Sequence, residues 1–170
     1  MAVVTLKGSR IITGLLGTTP SMADPGEAGG RVRNWTETVE VGAADSATST
    51  YHLARLPSNA RLLASSRIYW DDLASTGSPT IDIGVFNVSG RSVFTDDPDA
   101  LNDGLDAASA NATTGQRVVK DIANVGKRLW EHINGVTEDP KGQVDIKASL
   151  LDADVNVGGT MTIDLYYTLD

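Results

Sequence analysis

Apolar and polar residues alternate along much of this chain with the period of a β-strand. Trp35, Val39 and Val41 share one face with Glu37, while Thr36, Thr38 and Glu40 fill the other, the pattern of a half-buried strand. Thr50 to Leu56 is strand-like and stops at the turn Pro57-Ser58-Asn59. A central strand follows, with Leu62, Ala64, Ser66, Ile68 and Trp70 on one side and Leu63, Ser65, Arg67 and Tyr69 on the other. After the turn cluster Ser75–Pro79, the stretch Thr80 to Val88 sets Ile81, Ile83 and Val85 against Phe86 and Val88. Val144, Ile146, Ala148 and Leu150 alternate in turn. Beyond a turn at Asn156–Gly159, so do Met161, Ile163, Leu165, Tyr167 and Leu169. Six strands in two groups, without the strand–helix alternation of a parallel sheet, predict a mainly β fold: an antiparallel sandwich.

Between the strand groups the period changes. Asp97-Pro98-Asp99 offers a helix N-cap, a proline at the first helical position and a carboxylate suited to the dipole, with Leu101, Leu105 and Ala108 behind it. Val118, Ile122, Val125, Leu129 and Ile133 then recur in steps of four, three, four and four, with Trp130 at the edge of that face and Asn134-Gly135 as a stop. The spacing predicts a short helical insertion over about 97–134, weakened in the middle by Gly126.

Residues 1–30 form a third region. Six glycines and two prolines in 7–30 exclude a helix or a central strand, and the apolar residues there are confined to Ile11-Ile12 and Leu15-Leu16, apart from Met22 and two alanines. An extended N-terminal arm (1–30) with two hydrophobic anchors, followed by a single sandwich domain (31–170), is the expected organisation. Ile11, Ile12, Leu15, Leu16 and Trp130 are the expected interface residues, whereas Trp35 and Trp70 belong to the core.

Charge sharpens this division. Residues 1–33 carry four cations against two carboxylates, and the remainder carries 10 basic against 20 acidic residues, for a net charge of −8. That balance argues against direct binding of nucleic acid or of an anionic membrane, and no run reaches the length of a membrane span. The start of the sequence lacks the order of a signal peptide and there is no cysteine, which suits synthesis in a reducing cytoplasm.

The chemistry on offer is thin. With only His52 and His132, no cysteine and no Gly-x-Ser-x-Gly elbow, the sequence presents neither a nucleophile–base pair nor a three-histidine zinc site, so no catalytic role is expected. Gly126-Lys127 ends like a phosphate loop, but Asp121 stands where the first glycine belongs. Asp99-x-Leu101-x-Asp103-Gly104 and Asp152-x-Asp154-x-Asn156 have calcium-loop spacing. Leu101 and Ala110 break the first, Ile163 breaks the second, and Asp71-Asp72 is a bare acidic pair. No metal and no cofactor are expected.

The stretch Thr50–Leu73, continuing through Thr80–Phe86, resembles small virion proteins of tailed bacteriophages, as do Arg128-Leu-Trp-Glu131, Asp139-Pro140 and the ending Gly158–Tyr167. These are the head decoration, or capsid cement, proteins. The resemblance spans about 31–169 and rests on strand patterns. It implies a jelly-roll-like sandwich on the outside of the head, clamping neighbouring copies of the major capsid protein. It also implies a virion location and a homo-oligomer, dimer or trimer, seated on a lattice symmetry axis. The competing class is a carbohydrate-binding or host-attachment β-sandwich of a phage fibre, against which the scarcity of aromatic residues counts.

Overall fold

The computed structural model describes residues 31–169, which build two antiparallel sheets around one core. The strands are β1 (Arg33–Val41), β2 (Thr50–Pro57), β3 (Ala60–Leu62), β4 (Arg67–Trp70), β5 (Thr80–Asn87), β6 (Asp97–Asp106), β7 (Gln116–Arg117), β8 (Gln143–Leu151) and β9 (Gly159–Leu169). The first sheet has the order β1-β9-β4-β7, with β3 also on β9, and the second has the order β2-β8-β5-β6. Thus β1 and β2 run beside β9 and β8, and β4 and β5 run beside β7 and β6. The chain steps between sheets at each of those pairs, which is the connectivity of a jelly roll.

The alternating residues fill the space between the sheets. Ile81, Ile83 and Val85 of β5, Ile146, Ala148 and Leu150 of β8, and Met161, Ile163 and Leu165 of β9 are all fully buried. Both faces of β5 and β8 are covered, since Asp82, Phe86, Asp145 and Ser149 on the outer side are buried as well. Each fully buried Leu or Ile side chain contributes about 1.5–3 kcal/mol, and such contacts rather than any covalent link hold this cysteine-free fold.

Four expectations change. The stretch Asp97–Asp106 is a strand, not a helix: it pairs with β5 as Ile81↔Leu105, Ile83↔Asn102 and Val85↔Asp97, with the chain bulging between these points. Of the predicted insertion over 97–134, the helical part is two 3-10 turns, Ile122–Asn124 and Leu129–His132. The strand read as continuous from Leu62 to Trp70 is β3 and β4, split by a turn that leaves Ala64 exposed. At the break Ser66 Oγ both donates to the Tyr166 carbonyl and accepts from the Tyr166 N–H, each at 3.0 Å, replacing ladder bonds. Finally, Trp35 is 38% exposed, because β1 is an edge strand and the cleft between it and β2 is open to solvent. Trp70 is a core residue, 3% exposed, with its indole N–H shared by the Asp106 and Ser109 carbonyls.

Strand directions sort the connections into two ends. The proximal end, where the chain enters β1, carries segments 58–66, 88–96 and 118–142. The distal end carries 42–49, 71–79, 107–115 and 152–158.

Candidate docking surface

The proximal end is covered by the long connection 118–142. Successive hydrogen bonds pin it across both sheets: Val118 N–H to the Ser66 carbonyl (3.2 Å), Gly126 N–H to that of Leu62 (3.2 Å), and Trp130 N–H to that of Ser58 (3.2 Å). Asn134 N–H then reaches the Asp97 carboxylate at 2.7 Å. Asp121 caps the first 3-10 turn by accepting from Ala123 N–H at 2.9 Å, and Glu131 ties the second by accepting from Arg128 N–H at 2.6 Å. Gly126 and Gly135, at φ +86° and +76°, turn the chain where a side chain would be strained.

Trp130 lies in the second of these turns, half-buried against the core, and its indole N–H is buried without a hydrogen-bond partner. His132, two residues on, also has a buried and unpartnered Nε2. Burial is the main reason its pKa is pushed down to about 4, the Lys127 charge adds to that, and Glu131 opposes it. His132 is therefore a neutral imidazole at pH 7, held there by packing.

Around this connection lies exposed apolar surface. Val32 (51% exposed) precedes β1, Trp35 (38%) sits near its start, Val93 (50%) is in the β5–β6 connection, and Ile122 (58%) is in the β7–β8 connection. Ile122 stands on the predicted buried helical face, so its exposure is a correction: a 3-10 turn lacks the periodicity that would bring it inward. A cleft of about 480 Å³ opens between Val93, Phe94 and Thr95 on one side and Asn134–Glu138 on the other. Arg91 crosses nearby to the Pro140 and Lys141 carbonyls, at 3.3 and 2.9 Å.

A second cleft, of about 300 Å³, separates the two long edge strands and is lined by Trp35, Glu37, His52, Leu53, Ala54 and Arg55. The Trp35 indole N–H donates across it to the Leu53 carbonyl at 3.0 Å. On the outer face beside it, Arg55 grips the buried Asp145 carboxylate with two bonds of 2.6 and 3.1 Å, and His52 Nε2 lies 3.2 Å away. This cluster is an ion pair with a histidine beside it and contains no nucleophile.

The distal end has a different character. Its carboxylates are committed to shaping the loops that bear them. Asp45 accepts from Gly42 N–H and Tyr51 O–H (2.8 and 2.7 Å), and Asp71 accepts from Thr160 N–H and Oγ1 (2.7 and 2.8 Å). Both are held below the usual carboxylate range, Asp45 chiefly by Tyr51 and Asp71 by the Thr160 amide. Asp152 accepts from Thr80 (2.6 Å), Asp154 from Ala47 N–H (2.8 Å), and Asn156 from Ser75 N–H (2.8 Å). The calcium-spaced residues thus point at three different places, the start of β5 and the connections 42–49 and 71–79. Asp99 and Asp103 stand on strand β6, beside Asp82, whose pKa is raised by burial and by its carboxylate neighbours. Among the described residues no group of three or more His, Asp or Glu is placed to hold a metal, and no helix is long and apolar enough to cross a membrane.

Of the expected interface residues, Ile11, Ile12, Leu15 and Leu16 lie outside the described residues, as does the rest of 1–30. Sequence reasoning missed Val93. Its one signal was an isolated apolar pair, Val93-Phe94, flanked by the polar stretches Ser89–Ser92 and Thr95-Asp96.

No protein-family model matches the chain, and no curated protein matches it. Solved structures do. One chain of the cyanophage Pam1 capsid asymmetric unit superposes with a TM-score of 0.55 at 18% identity, covering 83% of this chain and 86% of that one. A chain in the capsid of Ralstonia phage GP4 superposes with a TM-score of 0.56 at 17% identity and the same coverage. At such identities the likeness is one of fold: this chain has the sandwich found in chains of two phage capsid structures.

Proposed function

We propose that this chain is a structural protein of a tailed-phage virion, a decoration or cement protein bound to the outside of the head. In this reading it binds the major capsid protein and stabilises contacts between its subunits, acting as a homo-oligomer, dimer or trimer. The observation that carries the reading is the near end-to-end likeness to chains of two phage capsid structures, in a chain whose sequence patterns resemble decoration proteins. The absence of a nucleophile–base pair in the sequence fits a role in holding rather than reacting.

The arm, residues 1–30, is the proposed clamp, with Ile11, Ile12, Leu15 and Leu16 as its anchors and Trp130 as the contact on the body. Burying each anchor contributes on the order of 1.5–3 kcal/mol. Ordering the chain costs roughly 1–2 kcal/mol per residue, so only a short anchored stretch is favourable. Deleting residues 1–17 tests this. The expected result is an unchanged melting temperature with reduced oligomer mass or reduced retention on purified heads; unchanged mass and retention would refute the clamp. One observation favours a fibre or attachment module instead: Trp35 is a half-exposed aromatic in a cleft with Glu37, His52 and Arg55. A glycan array with and without calcium separates the two.

A further inference from the structure

An open sheet ends in strands whose free N–H and C=O groups can accept a further strand, and most of the edges in this sandwich are blunted. β2 is bulged between His52 and Ala54 and ends on Pro57. β6 carries Pro98 and breaks register twice, while β3 and β7 are three and two residues long. β1 has none of these features. It runs nine residues, contains no proline and holds unbroken register with β9. Its first six residues, Arg33–Thr38, are all exposed. Trp35 and, just before the strand, Val32 are two of the four large hydrophobic residues exposed among the described residues. The bonding of β9 fixes which backbone groups of β1 are free. Tyr166 and Thr160 turn their backbone groups away from β1, Tyr166 to Leu63 and Ser66 and Thr160 to Asp71. The odd-numbered residues of β9 therefore face β1, where they meet Arg33, Trp35, Glu37 and Val39. Asn34, Thr36, Thr38 and Glu40 point their N–H and C=O outward, and the Thr38 N–H is met there by the Glu37 carboxylate at 3.2 Å.

We propose that β1 is a site of strand addition and that its occupant is β1 of a second copy, antiparallel about a two-fold axis at Trp35. The inference rests on the homo-oligomer reading above and deepens it, committing it to a dimer and to one edge. A two-fold contact is self-complementary, and free backbone groups on an unbroken strand are what strand addition requires. The charges choose the register. On the face that carries Trp35, Arg33 and Glu37 stand two residues to either side, both exposed and neither in an ion pair among the described residues. Centring the axis on Trp35 sets Arg33 against the partner's Glu37, and Glu37 against the partner's Arg33. These are non-hydrogen-bonded positions, where facing side chains come closest, with Cα atoms about 4.5 Å apart. Asn34 and Thr36 exchange backbone bonds with the partner's Thr36 and the partner's Asn34, and the two indoles cover each other. Moving the axis to Thr36 sets Trp35 against the partner's Glu37, and moving it to Glu37 sets two carboxylates face to face. Moving it to Asn34 leaves Glu37 opposite a residue outside the strand. Within one copy Arg33 and Glu37 lie about 13 Å apart along the strand, too far to pair with each other.

Sedimentation velocity of the full chain and of Arg33→Glu, Glu37→Arg and the double variant tests this, after melting curves show each fold intact. The native protein should be a dimer. Each single reversal should weaken it by about tenfold or more, because like charges then face each other at both contacts. An equimolar mixture of the two single variants should form heterodimers of near-native affinity, since every contact again joins opposite charges, and the double variant should dimerise as well. Rescue between separate chains is a result that a change within one fold does not produce. A native protein that stays monomeric up to about 0.1 mM, or that forms a trimer or larger species, would overturn the proposal. So would a dimer indifferent to both reversals, or a mixture no tighter than its components. Retention on purified heads lacking the protein is measured in parallel. A charge-sensitive dimer that fails to bind heads would overturn the decoration reading and leave the β1 pairing standing, whereas a monomer that binds heads would do the reverse.

Discussion

Mild acidification, from above pH 6.5 to about 4.5, should destabilise this protein through His132. Its imidazole is packed in the second 3-10 turn with a buried, unpartnered Nε2, and its pKa is pushed down to about 4 from an ordinary 6.5. Well above pH 6.5 the ring is neutral in the folded and unfolded chains alike, so it contributes no pH dependence. As pH falls below 6.5 the unfolded chain takes up a proton that the folded chain refuses, and stability drops until about pH 4, where the folded form protonates too. With those two values the loss grows to about 3 kcal/mol by pH 4. For a domain of this size that is a fall of roughly 10 °C in melting temperature. The assay is thermal melting by circular dichroism at half-unit steps from pH 7.5 to 4.5, for the native protein and for His132→Gln. Carboxylates titrate in both proteins, so the difference between the two curves isolates the imidazole. The native curve should fall toward the variant's, and the gap should narrow by several degrees between pH 6.5 and 4.5. Parallel curves would show that the ring is protonated in the fold, or that the turn opens to admit water at no cost.

Two further predictions rest on packing. A β-carbon on Gly84 would collide with the Asp97 carbonyl oxygen and the Pro98 backbone where β6 crosses β5, so Gly84→Ala should cost about 2–4 kcal/mol in urea unfolding. A cost below about 0.5 kcal/mol would mean that the crossing yields freely. Arg55→Ala removes the two-pronged partner of the Asp145 carboxylate, whose side chain is 4% exposed, and should lower the urea midpoint. The exposure of Arg55, 40%, keeps the loss below that of a fully buried pair; an unchanged midpoint would show that His52 takes over the contact.

The central strands are legible in the sequence because two signals agree in them. In β8 and β9 the alternation is strict, and the fully buried apolar residues, Val144, Ile146, Ala148 and Leu150 with Met161, Ile163 and Leu165, are those that the period puts on one face, although Asp145, Ser149 and Thr168 on the other face are buried too. The stretch 97–106 misleads because its cues are ambiguous. Leu101 and Leu105, four apart, share a face of a strand as well as of a helix, and Asp97-Pro98 is as good a start for a bulged edge strand as for a helix. The run 118–133 carries helical spacing but is bent by Gly126, and its apolar residues divide between core and solvent: Leu129 and Ile133 are buried, whereas Ile122 is exposed. Trp35 fits its strand's pattern, yet exposure at a sheet edge depends on what lies across from it, which periodicity does not encode.

The pairing of β1 with β9, and of β2 with β8, has a consequence for how the chain is made. More than a hundred residues separate Val41 from its register partner Gly159. At ribosomal rates of about 5–20 residues per second, the first strand waits on the order of 10 s for the last. During that interval Leu53, Leu56 and Val41 have no β8 or β9 to cover them, so the nascent chain exposes apolar strands that are prone to pair with other chains. Such non-local pairing also makes folding slow, on the scale of milliseconds to seconds after release. Because β9 bonds to β1, β3 and β4 alike, a ribosome that stalls before Met161 leaves β1 and β3 without a partner strand and β4 with the two-residue β7 alone.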